Sequence, residues 1–487
     1  MILSFLLGIP LLGAFLVALM PVRFQRLIRG VAITHAFLAL VLSLGLWPWF
    51  DTQSGLIQFS ERILWNPRLG TYYALGIDGF SYPMVVLTTL LCLVSLMTSQ
   101  CITQGLKGYY ALMLLLETAA LGVFMAQDWA LFYLFWELTL IPPFFLIDRW
   151  GGAKRGIASI NFVLYTMGGS VFTLMSLLVL FDTSVNHTFE MSSMTAGALG
   201  LNPQSQLLIF LGFLIGFGVK VPIVPLHGWV PLADVEAPSP VSMLLSGVLL
   251  KLGAYGLIRA ALTLPEAIVI LQPVLATVAF VGLIYGGVLA WRQQDIKRMI
   301  AYSSISHMGV VLLGISSLNQ TAMLGVTMQM VAHGLVAGGL FLLSGLLFER
   351  TATNDVNDYS NLIRTTPRFA FFFILVLLAS MGLPGTVGFI AELFTLIGGY
   401  QRWGWIVVPL SLSVLISAAY AFRTIGRLFT GPTRSKMNAV QDLSVMEMTA
   451  TSLLVGSLLL MGCFPAPILE VMSASVTLFS ATFAPRF

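Results

Sequence analysis

The chain has 487 residues, of which 58% are hydrophobic and only 9% charged, with a mean hydropathy of +0.93 and a formal net charge of +4. Soluble domains carry about 25% charged residues, so this composition excludes one and describes a polytopic membrane protein. The positive balance then belongs to loop topology, and no nucleic-acid partner is expected.

Apolar runs of about 20 residues, the length that crosses hydrocarbon, start near residues 2, 30, 81, 109, 129, 160, 206, 240, 268, 299, 322, 369, 405 and 448 and predict fourteen transmembrane helices. Met1 to Met20 has no basic residue ahead of its apolar part and no small-residue cleavage site, so it is expected to be the first helix rather than a removable signal. Cys92, Cys101 and Cys463 stand singly, without zinc, haem or iron-sulfur spacing, so no metal and no redox centre is expected in this chain. Seventeen of the 24 basic residues fall in alternate loops: Arg23, Arg26, Arg29, Lys107, Arg149, Lys154, Arg155, Arg292, Lys297, Arg298, Arg350, Arg364, Arg368, Arg423, Arg427, Arg434 and Lys436. The opposite face has Arg62, Arg68, Arg259, Arg402 and Arg486. By the positive-inside rule both termini lie on the non-cytoplasmic side.

Taken in order, spans 1 to 3 carry few ionisable groups, and His35 reads as a packed or interfacial histidine. Asp51 to Gly79 is the longest polar-leaning excursion, with Trp65, Pro67, Tyr72 and Tyr73 suited to an interfacial belt and Asp78-Gly79 to a turn. Glu117 lies in span 4 and Glu137 in span 5, each among apolar residues near mid-span, and Glu137 lies too deep for a short side chain to reach water.

From Phe210 to Arg259 two lysines, Lys220 and Lys251, sit in span-like segments separated by Pro222, Pro225, His227, Pro231, Asp234, Glu236, Pro238 and Pro240. A charge in hydrocarbon costs about 2.5 to 3.5 kcal/mol on insertion scales, so such lysines are functional candidates with partners. Broken helices with ionisable groups at the break mark ion pathways. Desolvation penalises an isolated charged carboxylate and an isolated ammonium alike, whereas each stabilises the other's charge. A proton arriving near Lys220 would loosen its hold on Glu137, and opening that pair would let Lys220 pass a proton onward.

His307 and His333, in spans 10 and 11 beside Ser303, Ser304 and Ser306, fit a hydrogen-bonded proton relay. Span 12 is a second interrupted helix, with Gly382, Pro384, Gly385 and Gly388 ahead of Glu392. The offsets from Glu137 to His307 and from Lys220 to Glu392 are 170 and 172 residues, as a duplicated transporter unit would leave. The basic stretch from Arg423 to Lys436 reads as a topology signal, facing lipid headgroups or a partner. The apolar tail from Val471 is short for a span and suits the membrane surface or another subunit.

The segments PFFLIDRWGG, GVKVPIVPLHGWVP, PVSMLLSGVLLKLGAYGLIR, QDIKRMIAYSSISHMG and MGLPGTVGFIAE resemble the antiporter-like proton-channel subunits of respiratory complex I, over roughly residues 75 to 430. They are most similar to the M-type subunit, called NuoM in bacteria and NdhD in photosynthetic NDH-1 complexes. The resemblance implies an all-α polytopic membrane protein of fourteen helices with two inverted five-helix repeats, helices 4–8 and 9–13, and broken helices 7 and 12. The divisions would be 1–105, 106–262, 263–430 and 431–487. It implies that Glu137 pairs with Lys220, that Lys251 is the central relay with His307 and His333, and that Glu392 is the terminal donor or acceptor. Glu117, His227, Asp234 and Glu236 are further relay candidates.

The same resemblance puts the quinone, the iron-sulfur clusters and the electron donor, ferredoxin or NAD(P)H, in other subunits, and makes the neighbouring membrane-arm subunits and lipids the partners. One departure stands out. Where such subunits usually read Trp-x-Pro-Asp-Ala-His after the first break, this chain has Trp229-Val230-Pro231-Leu232-Ala233-Asp234, so proton uptake between helices 7 and 8 is expected to differ. With Glu117, this suggests a variant of the cyanobacterial branch dedicated to CO2 uptake in the thylakoid membrane, with a carbonic-anhydrase-like partner; a bacterial inner membrane is the other location. Two other classes compete: a subunit of a multi-subunit cation/proton antiporter or membrane-bound hydrogenase, and a stand-alone solute carrier.

Overall fold

A computed structural model describes residues 1–184, 187–432, 437 and 440–484. Arg434, Lys436 and Arg486 of the basic pattern lie outside the described residues. The order is α1 (Ile2–Leu19), α2 (Gln25–Gly45), β1 (Gln58–Asn66), β2 (Thr71–Ile77), α3 (Tyr82–Met97), α4 (Leu106–Met125), α5 (Trp129–Leu138), α6 (Ile141–Trp150), α7 (Arg155–Thr183) and α8 (Met191–Ala198). It continues with α9 (Pro203–Lys220), α10 (Trp229–Glu236), α11 (Ser239–Leu244), a π turn over Leu245–Leu249, α12 (Leu250–Thr263), α13 (Pro265–Arg292), α14 (Ile296–Ser317) and α15 (Gln320–Thr351). The last elements are α16 (Leu362–Thr365), α17 (Pro367–Ser380), α18 (Val387–Trp403), α19 (Leu412–Phe429), α20 (Val445–Cys463) and α21 (Ala466–Phe483).

A helix stands at each of the fourteen predicted positions. Among the described residues thirteen stretches are long and apolar enough to cross a membrane, and α3 and α17 are shorter apolar helices. The two breaks fall where prolines and glycines interrupt the apolar runs: 221–228 between α9 and α10, and 381–386 between α17 and α18. Proline removes a backbone donor and clashes with the preceding turn, so neither run continues as one straight helix.

Contacts sort the loops into two ends. At one, the basic end, Arg29 donates to the Gln100 and Ile102 carbonyls, Trp150 to Gln104, Arg350 to Glu447, and Arg423 to the Trp291 carbonyl. At the other, Glu61 accepts from Leu3 N at 2.8 Å and meets the Met1 amino group at 3.2 Å, and Arg62 pairs with Glu190. The alternation of basic loops is therefore a real division of the bundle.

Two cations depart from it. Arg259 is no loop residue: it is buried and pairs with Asp78 at 2.7 Å, so the Asp78-Gly79 turn also clamps the end of α12. Lys297 is only 5% exposed. It belongs to the loop pattern by sequence, but it falls in the first turn of α14, which folds it inward.

The polar excursion is an antiparallel hairpin, Glu61 opposite Leu75 and Ile63 opposite Tyr73. It is anchored by Asp128, which is fully buried and accepts from Tyr72 N at 3.0 Å, Ala130 N at 2.9 Å and Leu131 N at 3.0 Å, capping α5 and holding β2 together. Burial raises its carboxyl above the ordinary value, against the pull of those three donors. Asp128→Ala is expected to orphan all three, at about 1 to 3 kcal/mol for each donor that water does not reach. Asp128→Asn keeps the acceptor for Ala130 N and Leu131 N but turns an NH2 toward Tyr72 N, so it is expected to lose only the Tyr72 contact and to fall between the natural protein and Asp128→Ala, as thermal unfolding of the solubilised protein would report.

The tail is a full helix. In α21 the buried positions Ile468, Val471, Met472, Ser475, Val476, Phe479 and Phe483 form one stripe at helical spacing, while Glu470, Thr477 and Thr482 face outward. Ser475 Oγ accepts from Gly79 N and Thr477 from Gln320, so α21 lies across the hairpin end of the bundle. The helix begins at Ala466, ahead of Val471, so the run is longer than the sequence reading allowed.

Candidate functional site

The helices carrying the central candidates are the most enclosed. The most apolar stretches of α11–α12, α14 and α15 are 100%, 89% and 94% buried, so their polar side chains meet protein rather than lipid. Lys251 Nζ donates to the Ser246 carbonyl at 2.6 Å and lies 2.6 Å from His333 Nδ1. The π turn just before Lys251 frees that carbonyl from the regular ladder. The His333 and His307 rings are 5.5 Å apart, and His307 Nδ1 is 3.3 Å from Glu392 Oε1. Gln329 Nε2 lies 3.4 Å from the same nitrogen. Lys251, His333, His307 and Glu392 thus form one line of ionisable groups across α12, α15, α14 and α18.

The second break makes room for its end. Gly382 has φ +76°, a conformation that L side chains rarely adopt, and a Cβ there would come within 3.0 Å of Glu392 Oε2. The Tyr420 hydroxyl, buried on α19, faces Ser380, Ser303 and the Glu392 charge. Of the three serines beside His307, Ser304 meets Ser246 Oγ at 2.7 Å, whereas Ser303 and Ser306 donate to the Ile300 and Leu283 carbonyls.

Glu137 and Lys220 form a second cluster. Glu137 accepts from Ser170, which also donates to Tyr133 at 3.2 Å. Lys220, at the last turn of α9, donates to Thr139 Oγ1 at 2.6 Å and to the Trp136 carbonyl at 3.4 Å, with its ammonium 3.6 Å from the Trp136 ring centroid. The lysine lies within the field of Glu137, but the expected ion pair is not made in this structure: each group holds its own neutral partner. Ser170, Thr139, Trp136 and Tyr133 were not singled out from sequence; hydroxyls and a tryptophan spaced around an embedded charge were the available signal.

The remaining candidates are dispersed. Glu117 is 1% exposed, its oxygens hold no hydrogen bond, and its polar neighbour is the Cys92 thiol. His227 lies half-buried in the first break with its ring edge on Tyr285 at 5.1 Å. Asp234 is buried among the lysines Lys251 and Lys297. Glu236 accepts from Lys154 N at 2.8 Å and anchors the start of α7 at the basic end, outside the enclosed line. His35 is satisfied by the Val31 carbonyl of its own helix at 2.8 Å. Among the described residues no three His, Cys, Asp or Glu converge in a way that would hold a metal ion.

Residues 126–417 match the family described as NADH:quinone oxidoreductase/Mrp antiporter, transmembrane. NAD(P)H-quinone oxidoreductase chain 4 2 of Thermosynechococcus vestitus is 38% identical, the alignment covering 96% of this chain and 90% of the relative. A chain of respiratory complex I from Thermus thermophilus superposes with a TM-score of 0.89 at 32% identity, covering 98% of this chain and 100% of that one. A chain of the Mrp complex from Dietzia sp. shares the fold, with a TM-score of 0.88 at 18% identity over 99% and 97%. The enclosed line of lysine, histidines and glutamate, on a helix bundle of this shape, is carried by a chain that belongs to the NADH:quinone oxidoreductase/Mrp antiporter membrane family, among its chain 4 (NdhD) members.

Proposed function

We propose that this chain is a proton-translocating membrane-arm subunit of an NDH-1-type quinone oxidoreductase. Protons move along Glu137, Lys220, Lys251, His333, His307 and Glu392, driven by electron transfer in other subunits that carry the quinone, the iron-sulfur clusters and the ferredoxin or NAD(P)H donor. The observation that carries the reading is the close succession of Lys251, His333, His307 and Glu392, the first three of them on helices enclosed by the rest of the bundle. Such buried ionisable chains serve proton transfer because leaving them charged and idle is costly. The two breaks, each beside one cluster, support two repeated five-helix units, and the basic end is taken as the cytoplasmic one.

The neighbours are other antiporter-like membrane-arm subunits, in a thylakoid membrane. Pulling the chain out of native membrane with its companions tests this: iron-sulfur and quinone-site subunits are expected, and sodium-exchange subunits in their place would reject it. The altered residues at 232–234 and the embedded Glu117 support the CO2-uptake form, with a carbonic-anhydrase-like partner. Deleting the gene from a cyanobacterial host is then expected to impair growth at air-level CO2 while sparing respiration, and the reverse phenotype would exclude that form.

A further inference from the structure

The line from Lys251 to Glu392 accounts for movement along the bundle but leaves open how a proton reaches Lys251 from the basic end. Two buried groups that the line does not use stand between. Asp234, at the end of α10, is 1% exposed, and neither carboxylate oxygen holds a hydrogen bond, while its own carbonyl accepts from Ser242 Oγ at 2.8 Å. Lys297, in the first turn of α14, donates to the Ala237 carbonyl at 2.7 Å, three residues beyond Asp234. The charges acting on Asp234 are those of Lys297 and Lys251, and the groups acting on Lys297 are Asp234, Asp295, Glu236 and, least, the Cys101 thiol. Glu236 and Asp295 face the loops of the basic end, where Glu236 accepts from Lys154 N and Asp295 caps α14 through Arg298 N. Hydrogen bonds place Glu236 and Asp295 at that end and Lys297 against the α10–α11 junction, and Asp234 is the acidic group whose charge acts on both Lys297 and Lys251.

A buried carboxylate costs several kcal/mol unless cations or donors meet it. Asp234 feels two lysine charges and has no donor fixed to its oxygens, the condition of a group that trades partners rather than one that braces the fold. Lys297 is likewise held by a single carbonyl at the junction of α10 and α11.

We propose that Lys297 and Asp234 are the proton-uptake pair of this chain, passing a proton from the basic end to Lys251. A proton from that end binds deprotonated Lys297; the ammonium gives it to the Asp234 carboxylate, and the carboxyl gives it to a neutral Lys251. Each transfer leaves the donor ready for the next. This rests on the reading above that Lys251 carries protons.

The test compares quinone-linked proton-to-electron ratios in membranes holding the assembled complex. Asp234→Asn and Lys297→Met are expected to lower the ratio at least about threefold at unchanged assembly, with Asp234→Glu keeping most of it. Lys297→Arg retains the charge and the carbonyl contact but cannot release a proton, so it is expected to fail like Lys297→Met; a bracing role would leave it active. Lys251→Ala is run alongside. If it loses pumping while Asp234→Asn and Lys297→Arg keep the full ratio, the uptake pair is wrong and the relay stands. If Lys251→Ala itself keeps the full ratio, the relay reading falls and the uptake pair with it.

Discussion

Lys251→Ala is expected to lower quinone-linked proton pumping to below about a tenth of the natural protein, a barrier increase of at least about 1.4 kcal/mol. The reason is position. Among the described residues Lys251 is the one enclosed cation within hydrogen-bond distance of His333, at 2.6 Å, and the charge of Asp234 acts on it. Alanine leaves the Ser246 carbonyl and His333 Nδ1 buried without that donor, at about 1 to 3 kcal/mol for each unmet group. Removing a desolvated charge offsets part of this, so the complex is expected to assemble with a modestly lower melting temperature.

Lys251→Arg separates charge from proton transfer. The guanidinium preserves the positive charge but holds its proton at any accessible pH. It is expected to be as inactive as alanine. Pumping at the natural ratio in Lys251→Arg would show that only a fixed charge is needed there.

How much of this was legible beforehand follows from what each residue depends on. The helices, both breaks and the embedded Glu137, Lys220, Lys251, His307, His333 and Glu392 could be read because their signals are local: apolar length, proline and glycine inside a run, and a charge where none should sit. The line joining Lys251 to Glu392 crosses four helices, and its order depends on which face each helix turns to its neighbour. Lys297 was misplaced for the same reason. It follows a polar loop and looks like a topology charge, yet the Asp295 cap starts the helix at Ile296, three residues ahead of the start read near 299, and Lys297 turns to the Ala237 carbonyl. Arg259 was assigned to a loop because its partner, Asp78, lies 181 residues away in sequence and looked like a turn. The hairpin at 58–77 was hidden by its strand residues, whose alternation is interrupted by register shifts at Gln58/Glu61 and Leu64/Asn66.

Glu137→Gln and Lys220→Ala are each expected to reduce pumping by about tenfold, and the double mutant to lose little more, because residues working as one switch are not additive. The structure holds the pair in its separated arrangement. Glu137 is occupied by Ser170, while Lys220 is turned to Thr139, two residues further along the same chain segment, and to the Trp136 face. A cation over an aromatic ring is worth about 0.5 to 2 kcal/mol, and a charge-assisted hydrogen bond about 1.5 to 3 kcal/mol. Those contacts compete with the carboxylate on comparable terms, so neither arrangement of the pair is strongly favoured over the other.

Thr139→Ala removes the hydroxyl that favours the separated form. It is expected to shift Lys220 toward Glu137 and to slow turnover while leaving the stoichiometry intact, the opposite pattern from Glu137→Gln. Losses that add fully in the double mutant, or an unchanged proton-to-electron ratio in both single variants, would mean that the two groups do not trade partners during transport.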